Sequence, residues 1–220
     1  MAEPAARGHQ GWSVVWDPFV RIFHWCTVGL VAVAFFSDAI RPVHDTAGYF
    51  VLALVLARLA WGLVGSQYAR FCDFLASPGR TLRYLRDLAT GRGRRYLGHN
   101  PAGGAMIVAL LALLLITAVS GWLSETDAYF GVSWVSHLHH RAAHLLLVFA
   151  GLHIVGVAVS SLLHRENLLV AMITGRKRTE LAGAPRAADL QAEYRAPAWP
   201  ARGRHRAAVG GGDLGDDREP

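Results

Sequence analysis

Apolar and polar positions divide the chain into four long hydrophobic runs joined by polar connections. The runs cover roughly residues 19–37, 46–65, 102–123 and 139–163. Each is close to the ~20 residues that a helix needs to cross a hydrocarbon layer ~30 Å thick. The third, GGAMIVALLALLLITAVSGWL, carries no charge. The others are interrupted at a few points, by Arg21 and His24, by Arg58, and by Arg141 with several histidines. The pattern predicts an all-α fold, a transmembrane four-helix bundle within residues 15–178. Residues 1–14 and 179–220 show no apolar period and are expected to be disordered, the second stretch being rich in Ala, Arg, Gly and Pro. Between runs two and three, SPGRTLRYLRDLAT reads as a short surface helix. Ser77 would be its N-cap and Pro78 its first residue, with Leu82, Leu85 and Leu88 along one side.

Composition supports this reading. Apolar residues make up 53% of the 220 and charged residues 17%, against ~25% charged in soluble domains. A soluble core of this size could not hide so much apolar surface. The net charge of +6 first suggests nucleic acid, but the basic residues flank the runs. Arg70, Arg80, Arg83, Arg86, Arg92, Arg94 and Arg95 lie between runs two and three, and Arg165, Arg176, Lys177 and Arg178 follow run four. The connection between runs three and four holds Glu125 and Asp127 and no basic residue. The positive-inside rule therefore places both termini and the central loop in the cytoplasm, and nucleic acid is not an expected partner. Trp16, Trp25 and Trp61 fall near the cytoplasmic interface, Trp122 and Trp134 near the other. MAEPAARGHQG lacks the apolar core of a cleavable signal peptide. Cys26 and Cys72 form no C-x-x-C, which excludes a disulfide scaffold, a zinc ribbon and covalently attached c-type haem.

Polar groups at membrane depth need a reason, so the histidines carry the chemistry. His9, His99 and His205 lie outside the runs and read as ordinary polar residues. Given the orientation, His24 lies near the cytoplasmic end of run one and His44 at the external end of run two. His139 is external in run four, and His153 lies 14 residues further in. Fourteen residues are ~21 Å of helix rise and bring the two side chains within ~40° of one face. His24 can thus meet His153, and His44 can meet His139. His144 is nine residues from His153, on the opposite face, and His140 is ~140° round. His140 and His144 remain alternatives to His139 at the outer level; His137 reads as a loop residue and His164 as interfacial. Zinc prefers four ligands or three plus water, and the pairs are too far apart to share an ion. Two axial imidazoles on either side of a plane suit six-coordinate haem iron. Gly48, one turn after His44, and Gly151, Gly156 and Ala143 near the run-four histidines leave room for a macrocycle. Arg58 lies 14 residues after His44, level with the inner pair, where it either meets a haem propionate or snorkels to the surface.

With these residues in hand, the chain resembles the bacterial cytochrome b561 family, which includes the b-type cytochrome subunits of nickel–iron hydrogenases. The resemblance rests on VWDPFVRIFHW, HDTAGYFVLALVLARLAWGLVGS, RYLGHNPAGG, LHHRAAHLLLVFAGLHIVG and HRENLLVAMITGRKR, between residues 15 and 178. It implies a four-helix bundle in the bacterial cytoplasmic membrane with two non-covalent b haems, their iron ligands falling on His24, His44, His139 and His153. It further implies electron transfer between quinone or quinol and a partner redox protein, be it a c-type cytochrome, a hydrogenase or another oxidoreductase subunit. Two positions depart from the family pattern: His140 stands where a Glu commonly follows the third ligand, and His144 near a common Asn. A metal transporter or sensor gated by His137–His144 is the rival reading, and a structural anchor the third. A reduced-minus-oxidised spectrum separates the first from the second.

Overall fold

A computed structural model of the chain describes residues 12–90, 96 and 98–178; the expectations for residues 1–11 and 179–220 lie outside the described residues. In chain order the elements are β1 (Trp12–Val14), α1 (Pro18–Phe36), α2 (Arg41–Val64), α3 (Phe71–Phe74), α4 (Pro78–Ala89), α5 (Pro101–Ser124), α6 (Ser133–Leu163), α7 (Leu168–Thr174) and β2 (Arg176–Arg178). Four of them, α1, α2, α5 and α6, are long and apolar enough to cross a membrane. Their outer faces carry large apolar side chains, with Phe36, Val64 and Leu162 each more than three-quarters exposed. Such a surface is at home in lipid and would aggregate in water. The polar backbone is satisfied within each helix, as a hydrocarbon layer demands.

The helices run up and down in turn. α5 packs on both α2 and α6, and α1 on α2, whereas α1 and α6 scarcely approach each other. Val51 and Val55 of α2 meet Leu114 of α5 and Leu146 of α6 at the centre, with Leu30 and Val31 of α1 against them. One end of the bundle, here the loop end, carries the connections 37–40 and 125–132, bridged by an ion pair between Arg41 and Glu125.

The opposite, strand end is closed by β1 pairing antiparallel with β2, Ser13 opposite Lys177. Residues 12–14, assigned above to a disordered terminus, are thus part of the fold, because a strand that close to α1 finds a partner after α7. Gly175 makes the turn into β2 at φ +80°, and its carbonyl accepts from the amides of Val15 (2.8 Å) and Trp16 (3.1 Å). Asp17 caps α1 through Val20 N at 2.8 Å, accepts from Trp61 Nε1 at 3.0 Å, and is hydrogen-bonded by Ser66 Oγ. Burial works against the Asp17 carboxylate, yet the bonds from Ser66, Val20 and Trp61 together hold its pKa below the usual range. One carboxylate therefore ties the start of α1 to the end of α2.

Helix boundaries differ from the apolar runs at two places. α2 begins five residues earlier than expected and α6 six residues earlier, since polar first turns are helical without being apolar. At ~1.5 Å per residue the 31-residue α6 is ~46 Å long and overreaches the hydrocarbon layer. The surface helix is present as α4, with Pro78 in its first turn. Ser77 caps it through its carbonyl, which accepts from Arg80 and Thr81, while its hydroxyl makes no cap bond. Tyr84 is the side chain that α4 buries, whereas Leu82 and Leu85 stay exposed.

Candidate functional site

The two histidine pairs sit at opposite ends of the bundle. At the loop end the rings of His44 (α2) and His139 (α6) are 6.0 Å apart, centroid to centroid, at 73°. His44 Nδ1 lies 2.8 Å from Ala34 O of α1 and His139 Nδ1 lies 2.9 Å from Thr117 O of α5. Each carbonyl fixes a ring through one nitrogen and leaves Nε2 for a ligand, the orientation that a metal-binding histidine needs. Gly121 of α5 makes the seat possible: a Cβ there would stand 3.0 Å from His139 Cε1. A cavity of about 430 Å³ adjoins the pair, lined among others by Gly48, Thr117, Ala118 and Ala143. That is within the ~300–1,000 Å³ usual for bound cofactors. A Cβ at Gly48 would meet nothing within 4 Å, so the space beside His44 is open.

At the strand end the rings of His24 (α1) and His153 (α6) are 6.4 Å apart at 55°. They reach across the side where α1 and α6 keep their backbones apart. His24 Nδ1 is buried without a partner, and Trp25 packs edge-on against the ring at 4.9 Å.

Metal–nitrogen bonds of ~2 Å on each side, plus ~1 Å from each nitrogen to its ring centre, put two axial imidazoles ~6 Å apart. Both pairs have this spacing. Among the described residues no three His, Cys, Asp or Glu side chains converge to hold a metal ion by themselves. Two nitrogens per site suit an ion whose remaining positions come from a macrocycle. The residues present therefore fit haem at both levels.

The alternatives for the outer level are also placed. His140 and His144 are exposed, although both border the cavity, and His144 Nδ1 is taken by His140 O at 2.6 Å. His139 is the one paired with His44. His137 is exposed and His164 half-buried.

Arg58 does not snorkel. It is 2% exposed, with one nitrogen donating to Ala69 O at 3.1 Å, the guanidinium 5.3 Å from the Phe71 ring, and Nη1 buried without a partner. Phe71 folds over it because α2 presents Gly62 there, where a Cβ would collide with the ring.

His99, read from the sequence as an ordinary polar residue, lies in this layer too. Its ring packs between Trp16 (4.4 Å) and Phe74 (4.7 Å), and its Nδ1 is buried without a partner. Burial pushes its pKa down to about 3, and the charges of Lys177, Arg58 and His153 act the same way, so the ring is neutral at physiological pH. The signal for its depth was its place immediately before Asn100, which caps α5 through Gly103 N at 2.7 Å. A residue next to the cap of a spanning helix folds back against the bundle.

Comparison with known proteins supplies the family. The family model for prokaryotic cytochrome b561 matches residues 15–175. Among curated proteins the chain is similar to a probable Ni/Fe-hydrogenase B-type cytochrome subunit of Rhodobacter capsulatus, 21% identical over 74% of this chain and 80% of that protein. It is likewise similar to proteins of the same description from Rhizobium leguminosarum bv. viciae, at 22% over 74% of this chain and 87% of the relative, and Bradyrhizobium diazoefficiens, at 23% over 74% and 85%. No solved structure matches. Four lipid-suited helices, histidines paired at haem spacing and a family match over most of the chain converge: the protein belongs to the prokaryotic cytochrome b561 family and is a multi-pass membrane b-type cytochrome, an electron-transfer protein.

Proposed function

We propose that this cytochrome passes electrons between the quinone pool and a partner redox protein across the bacterial cytoplasmic membrane. Two b haems would be held by His24 with His153 and by His44 with His139. The single observation that carries this reading is the recurrence of the ~6 Å imidazole separation at both ends of α6, 6.4 and 6.0 Å. Held by two imidazoles each, such haems would supply one-electron couples suited to electron transfer rather than oxygen binding.

The protein's own part is orientation and electrostatics. Ala34 O and Thr117 O set the outer rings, while the inner rings meet at 6.4 Å from two helices, α1 and α6, whose backbones scarcely approach each other. His139 and His153 are 14 residues apart on one helix, so the two levels are separated by ~21 Å. The Arg-rich connection between α2 and α5 and the basic residues after α6 support a cytoplasmic strand end, with both termini on that side. The inner pair then lies on the cytoplasmic side and the outer pair faces the cell exterior. The descriptions of the relatives make a nickel–iron hydrogenase the first partner to test, and a c-type cytochrome the second. In this reading Gly48 gives the outer haem its clearance, and Arg58 offers a cation to the inner one.

Haem quantitation on the purified chain and on His24→Ala, His44→Ala, His139→Ala and His153→Ala tests the assignment. Two haems per wild-type chain and one in each variant are expected. One haem in the wild type, or a variant that keeps both, overturns it.

A further inference from the structure

Cationic and imidazole groups are gathered at the strand end, and among the described residues three of their donor nitrogens have no acceptor. Arg21 Nε, Arg58 Nη1 and His99 Nδ1 are all buried without a hydrogen-bond partner. Asp17 is already engaged by Val20, Trp61 and Ser66, and Glu166 stands 4.0 Å from Lys177, itself buried under Trp16. A buried guanidinium with an unmet N–H costs free energy unless an acceptor, preferably an anion, comes to it. His99 is held between Trp16 and Phe74, so its ring has little freedom to seek one. Two aromatic rings join it to Arg58: Phe71 lies 5.3 Å from the guanidinium, Phe74 lies 5.7 Å from Phe71, and Phe74 lies 4.7 Å from the His99 ring.

We propose that His99 and Arg58 form a carboxylate seat for the inner haem, the imidazole donating through Nδ1–H and the guanidinium through Nη1. This deepens the haem reading of His24 and His153 and rests on it. The new content is His99, a positioning residue outside every spanning helix and brought to the inner haem by the cap of α5. Charge is what favours a carboxylate over the carbonyl of a quinone, since a buried guanidinium gains most from an anionic acceptor. An imidazole in the same layer as Arg58 supplies a second hydrogen bond without adding a second buried guanidinium.

The test uses the full chain, purified in detergent, in a His139→Ala background that leaves only the inner haem. His99→Phe keeps a ring between Trp16 and Phe74 and removes the donor; His99→Asn keeps a donor near the position of Nδ1. Haem content and midpoint potential are read for each. With its donor gone, the carboxylate's negative charge favours ferric iron. His99→Phe is therefore expected to shift the oxidised-to-reduced ratio about tenfold toward the oxidised form, about 59 mV lower for a one-electron couple. His99→Asn is expected to restore most of the difference. Loss of the haem in His99→Phe together with its retention at near wild-type potential in His99→Asn also supports the seat. An unchanged potential in His99→Phe with the haem in place overturns it. So does a variant that weakens binding of a quinone analogue while leaving the potential alone, which would make His99 a quinone contact. If the His139→Ala protein holds no haem at all, the reading of the His24–His153 pair fails first, and that outcome is visible before any His99 variant is made.

Discussion

Individual residues decide whether an imidazole can reach its place. Gly121 shows this most sharply, since a Cβ there would press on His139 at 3.0 Å. Gly121→Val is expected to displace that ring from Thr117 O and to cost the protein its outer haem while the inner one stays, which haem quantitation reads directly. Asp17 carries a different load. Asp17→Ala removes the α1 cap and leaves Trp61 Nε1 without its acceptor, and ~1–2 kcal/mol of stability is expected to go with it. Its carboxylate has a lowered pKa in the folded protein. The stabilisation is therefore complete above the unfolded value near 3.8 and is lost as pH falls through the lowered one. Melting curves of wild type and Asp17→Asn should differ at pH 7 and converge as the solution is acidified; a constant difference would show that the charge contributes nothing. The four paired histidines were legible in the sequence because helical rise and rotation convert spacing into depth and face. His99 and Gly121 were not. One sits in a connection, where periodicity is silent, and the other matters only through a side chain on a neighbouring helix.

Among the elements, the spanning helices were the easiest to read, because lipid makes length and apolarity diagnostic on their own. Their polar first turns were not, and α2 and α6 accordingly begin earlier than their apolar runs. The β1–β2 pair escaped the pattern altogether, as three-residue strands offer too little alternation to detect. Yet this small sheet closes the layer in which Trp16, His99 and Lys177 pack. Gly175 is its weak point. At φ +80°, Gly175→Ala meets both the left-handed backbone penalty, ~1–2 kcal/mol, and a Cβ placed 2.7 Å from Trp16 O. Faster hydrogen exchange at the amides of Val15 and Trp16, which donate to Gly175 O, is the expected consequence. Unaltered exchange would mean that the pairing survives without that turn.

At the scale of the whole molecule, orientation is what gives the two histidine levels their separate meanings. Arginine placement argues for a cytoplasmic strand end, and the two cysteines allow a direct check. Cys72 is exposed within α3 at that end, whereas Cys26 is exposed on the flank of α1, within the span. A membrane-impermeant maleimide is expected to label Cys72 in inside-out vesicles and not in intact spheroplasts, with Cys26 shielded by lipid in both. Labelling of Cys72 from outside would invert the assignment of inner and outer pairs. The family and the bundle could be read from the chain because apolar runs, charge asymmetry and histidine spacing all describe one object. The packing of the strand end could not, because it depends on connections folding back under the helices.

The central claim is that imidazoles clasp iron from both sides at two levels of one bundle, and electron paramagnetic resonance of the oxidised, purified protein tests it most directly. Two low-spin ferric haem signals are predicted, one absent from His24→Ala and the other absent from His44→Ala. A single signal, a high-spin spectrum or no haem signal at all in the wild type would contradict it.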